Sequence, residues 1–242
     1  MLRPPVHSWT EPDRGFHPST VTDATPIITA SNVIKQFGRF AALRGVTAEF
    51  GASKFYAILG DNGAGKTTLL RIIAGLARPT GGHVSILGMS PRAACREIGY
   101  MAHPSLLYDE MSGMENLRYF ARLYGIDDDK HGDRAIRMVA LDPTLSRPVG
   151  QYSQGMRQRM SLARAILHDP KILLLDEPFS NVDAQSAREM VTLLTRMRDA
   201  GKTILVVTHQ ASLLEGAADK FVWMRAGQVI ECTSSLSPGG TL

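Results

Sequence analysis

Two hydrophobic periods alternate along the chain. Short continuous apolar runs at Phe55–Leu59, Ile172–Leu175 and Thr203–Val207 have the length and composition of strands buried on both faces. Between them, apolar residues recur three and four apart, as one face of a helix requires: Leu69, Ile72, Ile73 and Leu76; Met156, Met160, Ala163 and Leu167; Met190, Leu193, Leu194 and Met197. The alternation predicts an α/β core with a parallel sheet. Ahead of it, two β-rich runs between Ile27 and Phe50 flank Gly38-Arg39-Phe40 and predict an antiparallel β subdomain. Further strands are expected at His83–Leu87 and Glu97–Met101, and a terminal hairpin at Phe221–Met224 and Gln228–Glu231, turned at Ala226-Gly227.

The capping box Ser112-Gly113-Met114-Glu115 opens a helix along Asn116–Tyr124 that ends at Gly125, and a second helix runs to about Leu141. Ser153 is a suitable N-cap for a third. Residues 104–168 therefore read as a helical subdomain inserted into the core, within one domain at 26–233. Residues 1–25, rich in Pro, Ser, Thr and His, read as a disordered arm, and 234–242 as a tail.

Composition narrows the setting. A net charge of +4 without a Lys-Arg tract gives no reason to expect nucleic acid. Cys95 and Cys232 match no metal spacing or disulfide framework, which fits a reducing compartment. No apolar run approaches the roughly 20 residues that span a bilayer, and Met1–Trp9 lacks a signal-peptide core. The expectation is a soluble, cytoplasmic protein whose membrane role, if any, comes through a partner.

The chemistry centres on Gly60-Asp61-Asn62-Gly63-Ala64-Gly65-Lys66-Thr67-Thr68, which lies between a strand and a helix. That context fits the G-x-x-x-x-G-K-[ST] phosphate loop. Glycines let successive backbone N–H groups face a phosphate, with the positive end of a helix beneath. Lys66 can reach the β- and γ-phosphates and the Thr67 hydroxyl can ligate Mg²⁺. A dinucleotide fingerprint fails on glycine spacing. The site is one for a nucleoside triphosphate. Asp176 and Glu177 end one apolar strand and His209 follows another, where open α/β sheets gather ligands.

In this order these residues resemble the ATP-binding subunit of ATP-binding-cassette (ABC) transporters over nearly the whole chain. The resemblance implies a phosphate-loop ABC ATPase that takes ATP and Mg²⁺. Asp176 would hold the metal with Thr67, Glu177 would activate water, and His209 would contact the γ-phosphate. Phe37 matches the aromatic that stacks on adenine. Tyr152-Ser153-Gln154-Gly155-Met156 resembles the Leu-Ser-Gly-Gly-Gln signature, keeping Ser153 and Gly155 and departing at the other three positions. In the family that segment acts on ATP held by a second subunit, head to tail, and an integral membrane permease is the further partner. The protein would sit on the cytoplasmic face of the inner membrane through that permease. Ser180-Asn181-Val182-Asp183 departs from the usual Ser-Gly-Leu-Asp. His103 stands where most of the family has glutamine, near Mg²⁺ and the attacking water. With Leu106-Leu107-Tyr108 and the segment through Gly125, it resembles the cassette of the bacterial cytochrome c maturation haem exporter, ahead of other efflux cassettes. A soluble ABC protein normally has two cassettes or a long coiled-coil insertion, and a non-hydrolysing module would lack Lys66, Asp176, Glu177 or His209. Leu106, Leu107, Tyr108, Met111 and Met114 make the stretch from His103 to Tyr124 more apolar than a free loop needs, and it is the surface expected to dock the permease.

Overall fold

The computed structural model describes residues 26–126 and 128–236; the expected arm, Asp127 and the last six residues of the tail lie outside them. Strands β1 (Pro26–Phe37), β2 (Phe40–Gly51) and β4 (Gly81–Ile86) form an antiparallel sheet in the order β2-β1-β4. The larger sheet runs β5-β6-β7-β3-β8-β9. Its strands are β3 (Phe55–Leu59), β5 (Ile98–Met101), β6 (Ile172–Asp176), β7 (Thr203–Val207), β8 (Lys220–Arg225) and β9 (Gln228–Thr233). All pairings are parallel except β8 with β9.

Why the central strands are apolar throughout is visible in how they divide. Phe55, Ala57, Leu59, Leu173, Leu175, Ile204 and Val206 join one core cluster. Tyr56, Ile58, Ile172, Leu174, Leu205 and Val207 join the other. Successive side chains leave a strand on opposite faces, so a sheet covered on both sides needs apolar residues at every position. The first cluster is completed by α4 (Gln154–Ile166), α5 (Ala184–Asp199) and the helices α2 (Gly113–Leu123) and α3 (Asp129–Met138). The second is completed by α1 (Lys66–Ile73) and the antiparallel sheet.

The helical subdomain forms as its caps dictate. Ser112 Oγ accepts from Glu115 N–H (3.3 Å) while Glu115 Oε2 accepts from Ser112 N–H (2.8 Å), the reciprocal capping box. Fully buried Asn116 donates to the Tyr108 and Ser112 carbonyls (3.0 Å each) and accepts from Tyr108 N–H (2.8 Å), tying the preceding loop to α2. Two expectations shift. The first helix begins at Lys66 and ends at Ile73, so Leu76, 61% exposed, leaves the buried stripe. The chain turns through Gly75 at φ 72°. The second helix stops at Met138 instead of about Leu141, where Ala140 adopts φ 55°. Among the described residues no helix is long and apolar enough to cross a membrane.

Candidate functional site

The carboxyl ends of β3, β6 and β7 are adjacent, and their side chains converge. Ile58 pairs with Val207 and Val207 with Asp176, which sets the phosphate loop, the two carboxylates and His209 along one edge. The loop is clamped from behind. Gly65 has φ 97°, and a Cβ there would lie 2.6 Å from the Ala42 carbonyl; at Gly60 (φ 141°) a Cβ would collide with the Met224 carbonyl. Only glycine permits the loop to lie flat against β2 and β8 and leave its other side for a ligand. The first N–H groups of α1 have no partners within their own helix. Lys66 Nζ donates to the carbonyls of Gly60 (2.6 Å) and Asp61 (2.9 Å), and Ala64 N–H donates to Asp61 (3.1 Å). Burial pushes the Lys66 ammonium down in pKa, opposed by Glu177, Asp61 and Asp176.

Thr67 Oγ1 donates to Asp176 Oδ1 (2.9 Å), bringing together the two residues expected to hold Mg²⁺. Asp176 is buried, which raises its carboxyl pKa; Thr67, His103, Arg71 and Lys66 oppose the shift. A hydroxyl and a desolvated carboxylate are oxygen donors suited to a hard divalent cation. Next in sequence, Glu177 adopts φ 52° while its N–H donates to the Val207 carbonyl (2.9 Å). Left-handed backbone at a non-glycine residue costs about 1–3 kcal/mol and is held here by its neighbours. Burial raises the Glu177 pKa, with His209 and Lys66 pulling it back. His209 Nε2 lies 3.1 Å from Glu177 Oε1, yet that oxygen is buried and accepts no well-directed hydrogen bond. The contact is a close approach of an imidazole nitrogen to a buried carboxylate oxygen.

His103 is exposed and lines a groove of about 500 Å³ together with Thr67, Asp176, Leu106, Phe120, Tyr124 and Arg164. Phe37 lies at the tip of the β1-β2 hairpin, paired with Phe40, and both are more than half exposed. Lys35 Nζ stands 5.0 Å from the Phe37 ring centroid. Ala42 and Leu43, a few residues along β2, touch the phosphate loop at Gly65, so the hairpin tip is tied to it. Asp61, Asn62, Gly63 and Thr68 lie in the loop and first turn as the motif requires.

Ser153 caps α4, its Oγ accepting from Met156 N–H (3.3 Å), and is exposed together with Gln154. A Cβ at Gly155 would come within 3.0 Å of Ser186 Oγ on α5. The departures around it have local reasons. Tyr152 is a core residue with Arg147 over its ring, so a large apolar body fills the place of leucine. Asn181 has φ 59°, a conformation that asparagine tolerates in place of glycine. The surface expected between His103 and Tyr124 is redrawn: Leu106 and Tyr108 are 52% and 43% exposed, whereas Leu107 and Met114 pack against the core. Tyr119 and Phe120 join Tyr108 in an aromatic cluster the pattern did not reveal.

A glycine loop closed over a buried lysine, a paired threonine and aspartate, and a second carboxylate beside a histidine define a phosphate-loop nucleoside triphosphatase. Residues 43–180 match the ABC transporter family, and the chain belongs to that family as an ATP-hydrolysing cassette. It is 35% identical over 199 residues to the ABC transporter ATP-binding protein NatA of Bacillus subtilis, covering 78% of this chain and 80% of NatA. It is 31% identical over 210 residues to the bacitracin transport ATP-binding protein BcrA of Enterococcus faecalis, covering 85% and 68%. The probable multidrug protein YbhF of Escherichia coli matches at 34% over 201 residues, 80% of this chain but only 35% of YbhF. A dimeric, post-hydrolysis ATP-binding cassette bound to ADP and Pi superposes with a TM-score of 0.77 at 26% identity, covering 86% of this chain and 98% of that one. The relatives' names give haem export no particular support.

Proposed function

We propose that this chain is the nucleotide-binding subunit of an ABC exporter, in which two copies close head to tail over ATP and drive a separate membrane permease. The observation that carries it is the convergence of Lys66, Thr67–Asp176 and Glu177–His209 at one sheet edge, with Ser153 displayed on a separate helix. Phe37 stacks on the base, and residues Gly60 to Thr68 hold the phosphates. Glu177 accepts the proton of the attacking water, and its raised pKa makes it a stronger base than an exposed glutamate. His209 and His103 orient that water and the γ-phosphate. Mg²⁺, held by Thr67 and Asp176, would neutralise phosphate charge. Ser153, Gln154 and Gly155 of one copy complete the site of the other.

In this reading the groove that joins His103 and Asp176 to Leu106 and Phe120 receives a short cytoplasmic helix of the permease, and the protein sits on the cytoplasmic face of the inner membrane through that contact. For cargo the narrower reading is haem for cytochrome c biogenesis, supported by the resemblance of His103 and the segment through Gly125. Deleting the gene in its host should then abolish covalent haem in c-type cytochromes; unchanged cytochromes would leave another efflux cargo. The assembly is tested by sedimentation. Glu177→Gln with ATP should run as a dimer at tens of micromolar, and adding Ser153→Arg should return it to a monomer. A persistent monomer with ATP contradicts the sandwich.

A further inference from the structure

The loop between β5 and α2 and the segment entering α4 are stapled along their length. Val149 N–H donates to the Met111 carbonyl (2.8 Å) and Gly150 N–H to the Asp109 carbonyl (2.9 Å). Ser112 and Pro148 form an antiparallel bridge, and Ser161 Oγ donates to the Ser105 carbonyl (3.1 Å). Across this seam Arg157 spreads its guanidinium, with Nη2 donating to Asp109 Oδ1 (2.6 Å) and Nη1 to the Val149 carbonyl (3.2 Å). Arg157 sits one turn beyond Ser153, whose carbonyl accepts from its N–H (2.9 Å). The neighbouring residues look elsewhere: Gln158 Nε2 donates to the Ser180 carbonyl (3.4 Å), and Arg159 pairs with Glu189.

We propose that Asp109 and Arg157 are a positioning pair that fixes Ser153 and Gly155 relative to the loop carrying Leu106 and Tyr108. A contact made on that loop is thereby carried to the segment that meets the second copy's ATP. The proposal rests on the head-to-tail reading above. Its geometry is specific because a planar guanidinium that engages two acceptors through two different nitrogens fixes an orientation, which a lysine would not. Its role is not bulk stability. The Asp109 and Arg157 side chains are 54% and 21% exposed, and ion pairs of that kind add little to folding. Asp109 also places its main chain against Gly150, where a Cβ would come within 3.1 Å of the Asp109 carbonyl.

The test uses the full chain with Asp109→Ala, Arg157→Ala, Arg157→Lys and the exchange Asp109→Arg with Arg157→Asp. Amide hydrogen exchange is read at residues 149–156 without nucleotide. Dimerisation with ATP is read in the Glu177→Gln background. Both alanine variants and Arg157→Lys should raise exchange at 149–156 and weaken dimerisation by about tenfold, with the exchanged pair recovering part of it. ATP affinity of the single chain and the melting temperature should stay close to those of the parent. Unchanged exchange at 149–156 in both alanine variants overturns the pair, whether or not copies associate. Raised exchange with dimerisation intact overturns its positioning role. A parent that stays monomeric with ATP counts against the head-to-tail reading, while the exchange result still decides the pair.

Discussion

Glu177 combines a left-handed backbone, a buried and unbonded Oε1, and a histidine 3.1 Å away. A glutamine there keeps the shape and loses the base. Glu177→Gln should therefore bind ATP normally and release phosphate roughly 10²–10⁴-fold more slowly, the usual range for a general base. Phosphate release within twofold of wild type would remove Glu177 from that role. At this scale the sequence was largely legible, because motif spacing names atoms that must meet: Thr67 does bond Asp176, and Lys66 does lie over its own loop. What spacing could not show was long-range pairing of polar side chains. Nothing in the run Arg157-Gln158-Arg159 announces that its three residues reach Asp109, Ser180 and Glu189.

Elements are legible in the sequence where local chemistry or burial on both faces decides them, and less so where the residues of a loop divide between core and solvent. The capping box, the parallel strands and the helix-closing Gly125 and Gly201 stand as expected, since each rests on local chemistry. The inward turn of Leu107 against the core is not legible, because an apolar residue in a loop turns inward or outward according to distant packing. The docking prediction accordingly moves to Leu106 and Tyr108. Glutamate at both positions should break copurification with the permease and leave ATP affinity unchanged; retained copurification would place docking elsewhere.

The junction of α4 with β5 adds a prediction about acid. His168 stacks on Tyr124 at 4.1 Å, and its Nε2 faces the Ile98 carbonyl (3.1 Å), so Nε2 carries the proton. Nδ1 is buried without a partner. Burial lowers the His168 pKa; the Ile98 bond and Asp169 oppose this, and Lys202 and Arg96 reinforce it. Below about pH 6.5 the unfolded chain takes up a proton that the folded chain refuses, so stability falls as pH drops toward the lowered folded value. The slope from this one group is at most about 1.4 kcal/mol per pH unit. His168→Phe keeps a ring against Tyr124, and its unfolding free energy should lose less between pH 7 and 5 than that of wild type. Parallel curves would exclude His168 as the source.

At the scale of the molecule, one chain carries a phosphate loop on its sheet edge and the signature-like segment at Ser153 on its helical subdomain, and the proposed head-to-tail assembly would bring them together from two copies. The α/β core was legible because period-two burial on both faces leaves a continuous apolar run. The head-to-tail dimer rests only on the motif's resemblance to its family. Mixing decides it. Lys66→Ala and Ser153→Arg chains should each be inactive alone. A head-to-tail pair of one of each contains one site with an intact Lys66 from the second chain and an intact Ser153 from the first. The mixture should therefore regain ATPase activity that depends on both proteins and rises with their concentration. A mixture as inactive as its components would mean that Lys66 and Ser153 serve the same chain, and would contradict the head-to-tail assembly.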